Sequence, residues 1–206
     1  MSVNEKIVAE FGFIEKLQLM ITKNMKRIIA LGIFLLLPIL VQAHPHLFIE
    51  YTADLIFDEN GLVGVSTEWT FDEMFSWQVI DENTNGDEVV DEKEQQEIYA
   101  NAFSYLANSE YFANFWEGFE RFAVNEVSDF EARIENGQVI YSFYIPWKVA
   151  AIEEAKMLKF LFDDESYFCA IVPKKAGVKI VAPETIKTEI IMQDRVTYQI
   201  SFWQVQ

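Results

Sequence analysis

The 206 residues contain only two histidines, and they stand together as His44-Pro45-His46, directly after an apolar run. Imidazole nitrogens bind zinc, nickel, cobalt and copper, and raw affinity does not choose among these ions. Cleavage after Ala43 would make His44 the first residue and add its α-amine to the donor set. One amine and the imidazoles of His44 and His46 then form a compact, brace-like nitrogen site. A copper/nickel terminus that uses a third-position histidine needs deprotonated amide nitrogens, and Pro45 has no N–H, so that geometry is excluded. Glu50, Asp72 and Glu73 are candidate carboxylates to complete the coordination. The competing reading is a frayed end with both imidazoles in solvent.

A second constellation runs from Asp81 to Glu92, where the pattern D-x-[DN]-x-[DN]-G-x5-E is satisfied. Asp81, Asn83 and Asn85 offer side-chain oxygens, and Gly86 permits the sharp turn. Asp87 gives its backbone carbonyl, Val89 a water-bridged contact and Glu92 a bidentate carboxylate. The expected ion is calcium. Glu88 departs from the aliphatic eighth position, and no second loop is present for pairing. The expectation is therefore a solitary EF-hand-like staple rather than a sensor. Its alternative is an acidic turn in which Asp91 caps a helix.

The residues ahead of His44 read as an export signal. Met25-Lys26-Arg27 supplies a positive start, Ile28 to Leu40 an apolar run broken near its end by Pro38, and Val41-Gln42-Ala43 a cleavage site. The run is shorter than the ~20 residues needed to span a bilayer. Residues 1–24 fit no part of a signal, so Met25 is an alternative start. The predicted destination is the periplasm. The predicted organisation is an extension plus signal over residues 1–43 and one mature domain over residues 44–206.

With 33 acidic against 16 basic residues the formal net charge is −17, which repels nucleic acid and anionic membrane and favours divalent cations as partners. Cys169 is the only cysteine, so no internal disulfide forms, and its apolar neighbours suggest a buried, inert thiol. No phosphate loop, dinucleotide fingerprint or convincing nucleophile–base set occurs, so the chain reads as a non-enzyme with no catalytic residues.

The elements that must position these residues follow from alternation and turn chemistry. Leu47 to Phe57 and Leu62 to Phe71 read as a hairpin across Asp58-Glu59-Asn60-Gly61, with Asn60-Gly61 supplying positive φ angles. Asp72 caps a predicted short helix over Glu73 to Ile80, and a second helical pattern follows through Leu106, with Tyr111, Phe112, Phe115 and Trp116 as its anchors. Strands are predicted at Phe119–Val127, Asp129–Glu135, Gln138–Ile145, Met157–Phe162, Tyr167–Val172, Thr185–Met192 and Val196–Trp203. Asn136-Gly137 marks a second hairpin turn. Val149 to Lys156 reads as a helical turn or a loop, and Pro173 to Pro183 reads as a surface loop. The fold class is α+β: a mostly antiparallel sheet with a helical, EF-hand-like insert over residues 72–116 after the first hairpin.

Taken in order, His44-Pro45-His46, the run Trp69-Thr70-Phe71-Asp72-Glu73-Met74-Phe75-Ser76, the calcium-type loop and Asp164-Glu165-Ser166-Tyr167-Phe168 resemble an exported family of unknown function. That family is often labelled an ABC-type transport system periplasmic component and includes the zinc-acquisition protein ZevA. The resemblance spans essentially the whole mature chain. It implies a periplasmic accessory protein working beside a nickel/cobalt/zinc-type membrane permease, with functional positions at His44, His46, Asp72, Glu73, Asp81, Asn83, Asn85 and Glu92. The function expected is transition-metal binding in uptake or efflux, with calcium stabilising the fold. The alternative is a calcium-stapled structural or interaction protein with no transition-metal role.

Overall fold

The computed structural model describes residues 20, 22–25 and 46–205. Of the export segment only Met25 is described, and His44 lies outside the described residues. No helix among the described residues is long and apolar enough to cross a membrane.

Burial with a period of two builds the core. Ile49, Tyr51, Ala53, Leu55 and Phe57 face inward from β1 (Leu47–Asp58), which pairs with β2 (Gly61–Phe71) in an antiparallel hairpin. After the helical insert come β3 (Ala113–Glu117), β4 (Glu120–Phe122), β5 (Ser128–Glu135), β6 (Gln138–Ala150) and β7 (Lys156–Phe162). The chain closes with β8 (Cys169–Val181), β9 (Ile186–Met192) and β10 (Tyr198–Gln204). One sheet has the order β5-β6-β2-β1-β8 and the other β4-β3-β7-β10-β9. Every pairing is antiparallel except β1 with β8.

Aromatic rings join the two sheets face to face. Tyr51 and Trp69 meet Phe162 with centroids 5.0 and 5.1 Å apart, Phe57 meets Phe202 at 5.1 Å, and Phe115 stacks on Trp147 at 4.9 Å. The edge-to-face and offset geometries are those that ring quadrupoles favour. The described residues from 46 to 205 form one compact unit.

The insert comprises α1 (Glu73–Asn83), α2 (Glu92–Ile98), a π-helical turn Tyr99–Phe103 and a 3-10 segment Ser104–Phe112. Phe103 stacks on Phe130 at 4.0 Å and reaches Phe143 at 5.1 Å, which seats the insert on the first sheet. Gln95 of α2 treats the edge strand β5 as a partner would. Its Oε1 accepts from Ala132 N at 2.9 Å and its Nε2 donates to the Phe130 carbonyl at 3.2 Å. The otherwise unpaired edge is thereby covered.

The mostly antiparallel α+β expectation holds, and several boundaries move. The helical part ends at Phe112, because Ala113 to Glu117 is a strand and not an anchor of the helix. The predicted strand Phe119–Val127 shrinks to Glu120–Phe122. Val149 and Ala150 belong to β6, leaving only residues 151–155 between strands. Pro173 to Val181 is strand rather than surface loop: Tyr51 lies opposite Pro173, and a register shift before Ala53 takes up the irregularity. An edge strand with a bulge tolerates proline, since no ladder donor is required there. In the first hairpin Gly61 alone has positive φ, at 134°; Asn60 does not. Its glycine answers to packing as well, because a Cβ there would sit 2.2 Å from the Val149 carbonyl oxygen. Asn136 and Gly137 both have positive φ, 54° and 75°, as a type I′ turn needs.

Candidate functional site

Three segments far apart in sequence meet where β1 begins. His46 N donates to the Phe168 carbonyl at 2.8 Å, and the His46 ring tilts against the Phe168 ring with centroids 5.3 Å apart. Two residues on, Phe48 N donates to Asp72 Oδ2 at 2.7 Å, while Asp72 N returns a bond to the Phe48 carbonyl at 3.0 Å. The other oxygen of Asp72 accepts from Phe75 N at 2.9 Å and caps α1. Asp72 is the predicted N-cap, yet both its oxygens are engaged by the fold. Glu50 and Glu73 are exposed.

Phe168 is presented by a turn that Asp164 organises. Asp164 Oδ1 accepts from Ser166 N and Oγ at 2.9 and 2.7 Å, and Oδ2 accepts from Cys169 N at 2.8 Å. Burial pushes this carboxyl up, but the hydrogen bonds from Ser166 and Cys169 outweigh it and hold Asp164 below the usual carboxylate range. Burial, then the charge of Asp164 and a hydrogen bond to it, push the Cys169 thiol up to about 12. That thiol stays protonated at neutral pH, so it is a poor nucleophile and a poor metal ligand as it stands.

The acidic segment is held by local bonds between its own side chains and backbone amides. Helix α1 runs past Ile80 to Asn83, so Asp81 lies inside the helix with its side chain exposed. Asn83 is buried; its Nδ2 donates to the Val79 carbonyl and its Oδ1 accepts from Asn101 Nδ2, both at 3.0 Å. Asn85 Oδ1 accepts from Asp87 N, and Asp87 Oδ1 accepts from Val89 N, each at 2.9 Å. The carboxylate that folds back is Glu94, not Glu92. Glu94 is 5% exposed and accepts from Asn85 N at 2.7 Å and Asp91 N at 3.0 Å. Asp91 accepts from Lys93 N and Glu94 N, which completes a capping box at the start of α2.

The twelve-residue pattern can also be counted from Asn83. Glu88, the sixth residue in that count, has φ 65°, and Gly86, the sixth counted from Asp81, has φ 82°. Val90 occupies the aliphatic eighth position and packs against the core. Glu94 falls at the twelfth, where the closing carboxylate belongs. Asn83, Asn85 and Asp87 belong to the window in either register, whereas Asp81 precedes this one and Glu92 falls at its tenth position. Among the described residues no group of three or more His, Cys, Asp or Glu side chains is placed to hold a metal ion.

A family described as "Protein of unknown function (DUF1007)" matches residues 29–194. The chain belongs to this family. No curated protein and no solved structure matches it. For this member of the family, sequence reasoning reached Asp72 as a cap and Asp164-Glu165-Ser166-Tyr167-Phe168 as a motif. It missed the bond from Phe48 to Asp72 and the Asn83–Asn101 amide pair, because both depend on long-range placement.

Two hollows flank these features. One, of about 660 Å³, lies between the 3-10 segment and the Asp164 turn. Its wall carries the Arg121–Glu110 ion pair at 3.0 Å and Asp163, whose carboxyl is pushed up by burial and then by the charges of Asp164 and Glu165. Glu110, Tyr111 and Phe112 in succession take left-handed φ angles of 48°, 53° and 54°. The other, of about 310 Å³, lies beneath α1.

Proposed function

We propose that this protein is an exported, periplasmic metal-binding accessory of the ZevA-like, ABC-transport-associated kind, serving transition-metal uptake or efflux beside a membrane permease. Zinc, nickel or cobalt is the cargo, bound by the α-amine and imidazole of His44 together with His46. The observation that carries the reading is the anchoring of His46 N on the Phe168 carbonyl. It gives the residues ahead of it a fixed point of departure, against which an imidazole at 44 and one at 46 can converge. Since Asp72 is engaged by Phe48 and Phe75, the donors come from the terminus itself.

Isothermal titration with zinc tests this. Protein beginning at His44 should bind one ion; one extra residue before His44 should weaken binding at least tenfold, and His46→Ala should weaken it further. Equal affinity with and without the extra residue refutes the brace.

Within the same proposal calcium staples the insert through Asn83, Asn85, Asp87, the Val89 carbonyl and Glu94. The capping box and the burial of Glu94 support that register, while backbone φ does not choose, since Gly86 at 82° meets the sixth position counted from Asp81 as Glu88 at 65° does counted from Asn83. The second reading, a calcium-stapled structural or interaction protein without a transition metal, is favoured by the full engagement of Asp72.

A further inference from the structure

A sheet edge offers a row of unpaired N–H and C=O groups, and folded proteins blunt it with short strands, charge, proline, bulges or a cover. Among the described residues the two sheets end on β5, β8, β4 and β9. Gln95 covers β5, and β4 is only Glu120–Phe122. β8 carries Pro173, Lys174, Lys175 and Lys179, with Ala176 left-handed at φ 54°. β9 has no proline, bulge or cover. It reads Ile186-Lys187-Thr188-Glu189-Ile190-Ile191-Met192 and pairs with β10 along its whole length without a register shift. Its one lysine and one glutamate cancel, in a chain whose net charge is −17.

Val205 N donates to the Thr185 carbonyl and Gln193 N to the Thr197 carbonyl, each at 2.9 Å. Amides alternate in direction along a strand, so the odd-numbered residues of β9 aim theirs at β10 and the even-numbered ones aim outward. Ile186 N turns back to the Pro183 carbonyl at 3.0 Å. Thr188, Ile190 and Met192 are left with outward N–H and C=O groups and no partner strand among the described residues. The same residues lie opposite Phe202, Ile200 and Tyr198, all buried, and so stand on the core-facing side. Yet Ile190 is 40% and Met192 54% exposed, where Ile186 is 4%. The apolar layer reaches β9 and stops at an open end.

We propose that β9 is a self-association edge, on which a second copy of this chain adds its own β9 antiparallel, in a two-fold register centred on Ile190. There Ile190 faces Ile190, Thr188 of each copy lies opposite Met192 of the other, and every outward amide of the three residues finds a partner. Centring on Glu189 would set like charges face to face, about 4.5 Å apart between Cα atoms. Centring on Thr188 would need the Ile186 N–H already given to Pro183, and centring on Ile191 would carry Thr188 past the strand end to Asp194. In the chosen register Ile190 and Met192 continue the apolar layer across the axis, and Glu189 lies opposite Ile191 on the outer side. Two-fold pairing uses up the edge, so it gives a dimer and not a fibre. The inference is independent of the histidine terminus and of the calcium loop.

Sedimentation equilibrium on metal-free protein starting at His44 tests this, at ~0.15 M salt, where a Debye length of ~8 Å screens the repulsion between two acidic chains. The mass should rise reversibly from monomer to dimer and stop there. A contact of one strand pair belongs to the weak class that buries below ~1,200 Å², so the rise falls at micromolar concentrations or above. Ile190→Lys should abolish it by placing two ammonium groups on the axis. Ile191→Glu, opposite Glu189 of the second copy, should weaken dimerisation about tenfold or more, whereas Ile191→Lys at the same place should hold it within about threefold. Both positions are exposed at an edge, so each variant should keep the unfolding midpoint of dilute wild type. A monomer at every concentration overturns the proposal and leaves the edge to a strand of another protein. Growth beyond the dimer, a dimer indifferent to Ile190→Lys, or equal weakening by Ile191→Glu and Ile191→Lys overturns it as well, since apolar clumping has no register.

Discussion

The acidic loop and the corner around Asp72 spend their side-chain oxygens on backbone amides in opposite ways. In the loop, Asn85, Asp87, Asp91 and Glu94 bond to N–H groups at most nine residues away. Asp72 reaches twenty-four residues back to Phe48 while also capping its own helix. Local bonds of the first kind can be exchanged for cation contacts without disturbing the sheets. Those of Asp72 cannot be released without loosening the start of β1. Acidity by itself therefore does not mark a metal site: what matters is whether the oxygens can be freed cheaply.

The sharpest way to break the contrast is Asp72→Ala, which removes a cap and the tie to β1 at once. It should cost roughly 2–4 kcal/mol in denaturant unfolding, with Asp72→Asn costing clearly less. A loss no larger than that of an ordinary exposed cap would mean the tie to Phe48 contributes nothing.

Calcium addresses the other side of the comparison. At a free concentration near one hundred times Kd it should stabilise the wild type by ~2.7 kcal/mol. Glu94→Gln should abolish that calcium-dependent increment, whereas Glu92→Gln and Asp81→Asn should keep it. The reverse pattern in a thermal-shift titration would restore the register from Asp81.

Acid separates the turn that presents Phe168 from the loop. Asp164 has a folded pKa below its unfolded value, so its contribution is complete above the unfolded value and disappears as pH falls through the folded one. Acid unfolding curves should therefore fall less steeply below about pH 4 in Asp164→Asn than in the wild type. Parallel curves would show that the hydrogen bonds from Ser166 and Cys169 do not favour the charged form.

The smallest effect belongs to Glu88. A left-handed backbone costs a non-glycine residue roughly 1–2 kcal/mol. Glu88→Gly should thus raise stability by about 1 kcal/mol without calcium and tighten calcium binding. Weaker calcium binding in that variant would count against Glu88 as the sixth loop residue.

Much of the β architecture was legible because alternation and turn chemistry are local: Leu47–Phe57, Leu62–Phe71 and the Asn136-Gly137 turn needed no tertiary information. β8 was not, since Pro173 argues against a strand unless one knows that the strand lies at an edge beside a register shift in β1. The loop was legible as a loop but not in its register. Acidic and amide residues recur every second position, so the windows from Asp81 to Glu92 and from Asn83 to Glu94 both present the right oxygens. The choice between them rests on α1 continuing past Ile80 to Asn83, and a helix end is fixed by packing that sequence does not display. The anchoring of His46 depends on the parallel pairing of β1 with β8, which no spacing announces.

The amide of Asn83 belongs to two neighbourhoods at once, the wall of the hollow beneath α1 and the first place in the loop. To offer its oxygen to an ion it must let go of Asn101, and that rearranges the chamber's lining. Giving up that bond is a cost that any ion seated at the loop would have to offset. Asn101→Ala frees the Asn83 oxygen and should tighten calcium binding, and unchanged affinity would show that this oxygen never serves the ion.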